Sequence, residues 1–98
     1  MAQLVWAPKA LDDLEALIQY IARNAPMAAR RFAQKLVARV ESLSTYPFQG
    51  GYVSEDDSQT YRELIQGNYR VIYRVEGQRV IVVAVHHAAR LLDTAQFE

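Results

Sequence analysis

Residues 61–90 read YRELIQGNYRVIYRVEGQRVIVVAVHHAAR, and this stretch decides the fold. Runs rich in β-branched and aromatic residues are separated by Gly67-Asn68 and Gly77-Gln78, dipeptides suited to two-residue hairpin loops. Strands are expected at Tyr61–Gln66, Tyr69–Val75 and Arg79–His87. Such loops set a register in which Leu64 opposes Val71, which opposes Ala84, while Arg62, Tyr73 and Val82 align on the same face. The other face then carries Tyr61, Glu63, Ile65, Arg70, Ile72, Arg74, Val83, Val85 and His87. Val80–Val85 is apolar on both faces, as a central strand is, so another strand is expected beside it.

That strand is supplied by the N-terminus, where Gln3–Trp6 alternates and is rich in β-formers. Pro8 suits the first turn of a helix, and Asp12, Asp13 and Glu15 follow early enough to favour its dipole. Leu11, Leu14, Ile18 and Ile21 recur at three- and four-residue spacing and form an apolar face. Asn24-Ala25-Pro26 breaks this helix and starts a second one, because the residue before proline leaves the helical region. The second helix buries Ala29, Phe32, Leu36, Val40 and Leu43, ends at Tyr46–Gly51, and is followed by a polar loop from Ser54 to Thr60. The expected architecture is α+β, β-α-α-β-β-β: a four-stranded, mainly antiparallel sheet with an N-terminal helical hairpin packed on one face, one domain over residues 1–98.

Composition narrows the function. Half of the residues are hydrophobic, a globular proportion, and there is no cysteine. Disulfides, thiolate metal sites and cysteine nucleophiles are thereby excluded, and a reducing cytoplasmic setting fits. No signal peptide is legible, and no apolar run approaches the ~20 residues that span a bilayer. The formal net charge is zero, which weakens autonomous nucleic-acid binding. The charge is uneven, however. Arg30, Arg31, Lys35 and Arg39 face only Glu41 within residues 26–45, whereas Glu55, Asp56 and Asp57 stand without a base in residues 46–60.

With the helices on the Leu64–Tyr73 face, the opposite face is expected to be at least partly open. It would present Glu63, Arg70 and Arg74, with Tyr61 and His87 at its margins. Arginine beside a titratable group is what phosphate recognition or RNA cleavage requires. The simpler reading of the same residues is cross-strand ion pairs on a wet sheet face, since such pairs are common in antiparallel sheets. Adjacent His86 and His87 point to opposite sides of a strand, so they do not share a metal, and no metal or cofactor is expected. Arg31, Lys35 and Arg39 make a basic ridge on the second helix, either a solvated face or a dock for an acidic segment.

The chain resembles the RelE/ParE superfamily of toxins from bacterial type II toxin–antitoxin modules over nearly its whole length. The resemblance rests on VWAPKALDDLEALIQYIARNAPMAARRF, on LSTYPFQGG, and above all on YRELIQGNYRVIYRV followed by VIVVAVHHAARLLD. It implies the fold derived above. RelE-like members cleave mRNA in the ribosome, whereas ParE-like members block DNA gyrase. The arginine of the nucleases is matched by Arg70. Their catalytic positions past the last strand fall on Ala88 and Ala89, or on His86 and His87 after a slip of one or two residues. The REL…YR.IYRV…V.H.AR pattern is more ParE-like, which implies a plasmid-stabilization toxin inhibiting gyrase without bond chemistry. The alternatives are an endoribonuclease using Arg70, His86 and His87, or a degenerate member that only binds its antitoxin.

The resemblance also implies partners and surfaces. These are a cognate antitoxin of the ribbon-helix-helix, ParD-like kind, DNA gyrase as target, and DNA only through the antitoxin complex, with no membrane. Target contact is expected at Arg90, Leu91 and Leu92, with Arg70 and Arg74 behind them. Antitoxin contact is expected at Leu14, Ile18, Phe32 and Leu36, with Arg31, Lys35 and Arg39 meeting an acidic tail.

Overall fold

The computed structural model describes residues 1–97. Strand β1 (Gln3–Trp6) leads into helices α1 (Pro8–Ala22) and α2 (Pro26–Glu41), and a 3₁₀ turn (Ser42–Ser44) follows. A two-residue strand, β2 (Gly51–Tyr52), precedes the meander of β3 (Tyr61–Gln66), β4 (Tyr69–Glu76) and β5 (Arg79–His87), and a 3₁₀ turn (Thr94–Phe97) is the last element among the described residues. The sheet has five strands in the order β1-β5-β4-β3-β2. β1 runs parallel to β5, and the other neighbours are antiparallel. The expected four strands are thus corrected to five. A strand of two residues has no period to read.

Both helices open on proline, whose missing N–H costs nothing there. No carboxylate lies in the first turn of α1. Asp13 instead accepts the Val85 amide at 3.0 Å, where β5 runs on past its last pairing with β1 at Val82. The face of α1 that meets the core is Ala10, Leu14 and Leu17, and Leu11, expected on it, is 50% exposed. The turn glycines hold as expected, Gly67 and Gly77 each taking a φ of 59° that other residues rarely adopt.

The β3–β4 register pairs Leu64 with Val71 and Arg62 with Tyr73, as the sequence indicates. The β4–β5 register does not hold throughout. Tyr73 pairs with Val82, but Ile72 pairs with Ala84, leaving Val83 as an extra residue on β5. This bulge places Val83 and Ala84 on one face. Val71 therefore opposes Val85 and not Ala84. Beyond the bulge the faces exchange: His86 stands opposite Arg70, and Val85 and His87 move to the helix-covered side.

Two cores result. Leu36, Val40, Leu43, Leu64, Val71, Tyr73, Val82 and Val85 fill the space between sheet and helices. Val53, Tyr61, Ile72, Ile81, Val83, Ala84 and Leu92 form a second core on the opposite face, with Phe97 packed on it. That face is covered, and not open, by the loop after β2 and by the chain beyond β5. Its aliphatic side chains explain the cover, since burying each contributes about 1.5–3 kcal/mol. No helix among the described residues is long and apolar enough to cross a membrane.

Candidate functional site: a buried arginine behind the exit of β5

Arg70 leaves β4 toward the second core and is 6% exposed. Its Nη1 and Nη2 donate to the two carboxylate oxygens of Glu55, each at 2.8 Å. Its Nε donates to Glu63 Oε2 at 2.7 Å. A fork-to-fork pair of this kind is both strong and directional. The Arg70 guanidinium, against partial burial and with help from the Leu92 amide, holds the Glu55 carboxyl down at about 2. Glu55 in turn, with Glu63, raises Arg70 further above its ordinary range despite burial.

Glu55 reaches this position because the loop that carries it is wound around its neighbour. Asp56 accepts the amides of Ser58, Thr60 and Tyr61 at 3.1, 2.9 and 2.9 Å. Burial pushes the Asp56 carboxyl up, but the Ser58 hydroxyl and these amides together outweigh it and keep the carboxyl below its usual range. Glu63 arrives from β3, whose Ile65 lies directly opposite Arg70.

The chain leaving β5 is fixed at intervals. The Ala88 amide donates to the Asn68 carbonyl at 2.8 Å and the Arg90 amide to the His87 carbonyl at 3.1 Å. The Leu92 amide donates to Glu55 Oε2 at 2.9 Å. His87 Nδ1 accepts the Ala89 amide at 3.1 Å. The ring stands edge-on to Tyr69, 5.4 Å between centroids. His86 Nε2 lies 3.3 Å from the Leu91 carbonyl. A cleft of about 630 Å³ opens between α1 and this exit, walled by Leu17, Tyr20, Tyr69, His86, His87 and Arg90. A smaller one of about 330 Å³ lies between Ile65, Arg70, Ala88, Ala89 and Leu91.

Of the residues nominated to meet a target, Arg90 is exposed and Leu91 is 88% exposed. Leu92 is 5% exposed and belongs to the second core. It is therefore an anchor and not a contact. Arg70 lies behind the segment as expected, but buried and paired, with no free face for a phosphate. Arg74 pairs with Glu76 at 3.1 Å.

Among the residues nominated for an antitoxin, Leu36 is wholly buried in the first core and lines no groove. Leu14 and Phe32 are half-buried against that core, Ile18 is half-buried, and Arg31, Lys35 and Arg39 are exposed. Sequence reasoning missed Glu55. Its only signal was acidic loop residues without a neighbouring base, opposite a strand arginine that needed a counter-charge.

Known proteins share both the sequence pattern and the fold. Residues 4–92 match the family described as ParE toxin of type II toxin–antitoxin system, parDE. The chain belongs to this family. A curated relative, Toxin RelE2 of Caulobacter vibrioides, is 40% identical over 93% of this chain and all of its own length. The chromosomal ParDE TA system from P. aeruginosa superposes with a TM-score of 0.75 at 23% identity, covering 89% of this chain and 96% of that one. A YoeB/ParE toxin from Agrobacterium tumefaciens gives 0.60 at 24% identity, covering 87% and 96%. The shared fold extends through this group, and this ParE-family toxin carries it with the Arg70–Glu55–Glu63 cluster behind the exit of β5.

Proposed function

We propose that this ParE-family toxin inhibits DNA gyrase by binding it, and that a cognate antitoxin of the ParD-like, ribbon-helix-helix kind neutralises it. DNA is met only through the antitoxin complex. The observation that carries the reading is the state of Arg70. Its guanidinium is buried against two carboxylates, so it does not present the free cation that would steady a pentacoordinate phosphate. Ala88 and Ala89 beside it carry no group that moves a proton. What the exit offers is a contact surface, Arg90 and Leu91 on a segment fixed at both ends, with Leu92, Arg70 and Arg74 behind. The exposed Arg31, Lys35 and Arg39 on α2 suit an acidic antitoxin tail, and Leu14, Ile18 and Phe32 suit its apolar side chains.

The second reading, ribosome-dependent mRNA cleavage, is favoured by the register that brings His86 opposite Arg70. The test is supercoiling of relaxed plasmid by purified gyrase with ATP as this toxin is titrated in. Lost supercoiling with accumulating cleaved plasmid is the expected result. Undisturbed supercoiling by a folded, growth-inhibiting preparation would overturn the gyrase reading in favour of mRNA cleavage.

A further inference from the structure

The segment after β5 is fastened at three points. At the first, Glu55 Oε2 accepts the Leu92 amide at 2.9 Å while the same carboxylate grips Arg70. At the second, Phe97 packs edge-on against Tyr61, 5.3 Å between centroids. Upstream, the Ala88 amide is tied to Asn68 in the β3–β4 turn. Arg90 and Leu91 therefore sit on a short bridge whose ends are both held. Leu92 turns inward to 5% exposure and Leu91 outward to 88%. A large aliphatic side chain so exposed, next to a cation, has the character of an anchor awaiting a partner, and holding it still lowers the entropy cost of docking.

We infer that Glu55 is a positioning residue for target recognition. Its carboxylate, oriented by Arg70, latches the Leu92 amide and thereby sets Arg90 and Leu91 in their target-binding conformation. This rests on the reading of the β5 exit as the target surface, but not on gyrase being the target. The latch belongs to a loop element and a strand arginine, neither of which touches the target itself. Arg70 on this account supports the activity without chemistry.

The test is a double-substitution cycle read by the growth-inhibition threshold of the full chain, whichever macromolecule is hit. It is joined to amide exchange on the purified toxin. Glu55→Gln keeps size and removes charge. It is expected to speed exchange of the Leu92 amide about 10-fold, the share of a charge-assisted hydrogen bond that a neutral one does not replace, while the amides of Leu64 and Val71 stay protected. The inducer needed for growth arrest should rise by a similar factor. Leu91→Ala should raise it too, and adding Glu55→Gln to Leu91→Ala should raise it by clearly less than Glu55→Gln does alone, because Leu91 is one of the two side chains that the latch positions.

A merely structural role for Glu55 would give additive effects and would overturn the proposal. So would an unchanged Leu92 amide or a fully toxic Leu91→Ala. If Glu55→Gln folds poorly, Glu55→Leu with Arg70→Met replaces the pair by apolar packing and still lacks the latch. The same non-additivity with Leu91→Ala is expected there, and additivity refutes. Failure of the gyrase reading shows separately, as intact supercoiling by a toxin whose cycle remains non-additive.

Discussion

Arg70→Met removes the guanidinium and leaves Glu55 and Glu63 with no cation between them. The cost follows from the carboxyl it holds down. Glu55 falls from its ordinary 4.5 to about 2, roughly 3 kcal/mol at about 1.4 kcal/mol per unit. The Glu55 side chain keeps 17% of its surface in water, and discounting for that screening leaves roughly 2 kcal/mol. Methionine returns some apolar packing but no hydrogen bonds. For a domain of this length, about 4–8 °C of melting temperature accompanies each kcal/mol, so a fall of roughly 8–16 °C is expected at pH 7.

The pH dependence gives a second check. A carboxyl depressed in the folded state stabilises above its unfolded value and loses that contribution as pH falls through its folded value. The gap between parent and variant should therefore be full above about pH 5 and close progressively from 4.5 toward 2. Urea titrations followed by circular dichroism, at pH 7 and near pH 2.5, measure both quantities. A variant within about 0.5 kcal/mol of the parent at pH 7 would refute the reasoning, as would a gap that does not shrink in acid.

Three further substitutions probe the supports of the site. Gly50→Ala would drive a Cβ into the Glu63 carbonyl oxygen and to 2.7 Å from the Tyr73 hydroxyl. Separation of β2 from β3 and a loss of about 3 kcal/mol in urea unfolding are expected. Tyr73→Phe removes the hydroxyl that accepts the Gly50 amide at 2.9 Å, stranding a buried donor at a cost of about 1–3 kcal/mol, readable as a lower melting temperature. Asp13→Ala frees the Val85 amide from its 3.0 Å acceptor. Hydrogen exchange there should accelerate, with a stability loss of about 1 kcal/mol, while the Ala84 side of the sheet is unaffected.

The meander was legible because its punctuation is local. Gly67 and Gly77 mark turns that need positive φ, and Pro8 and Pro26 mark helix starts. The unbroken apolar run Val80–Val85 told that β5 is central. The same run hid the bulge, since consecutive valines carry no alternation from which an extra residue can be counted. For that reason the faces of Ala84, Val85, His86 and His87 were misread. Leu11 and Leu36 show the limit of helical periodicity: it finds an apolar stripe but not which members sit deepest. The cover over the second face was invisible because Val53, Leu92 and Phe97 lie outside the strands they bury. Glu55 was missed for a related reason, as a loop carboxylate declares its partner only when the chain brings a strand arginine to it.

One surplus residue in β5 determines which histidine shares a face with Arg70. Were Val82–His87 to ladder against β4 with every residue kept and no bulge, Val85 would oppose Arg70, His87 would share its face in place of His86, and the two sides of the exit would trade their side chains. The same residues can thus present a different working surface when a single bulge forms or straightens, with no new functional residue.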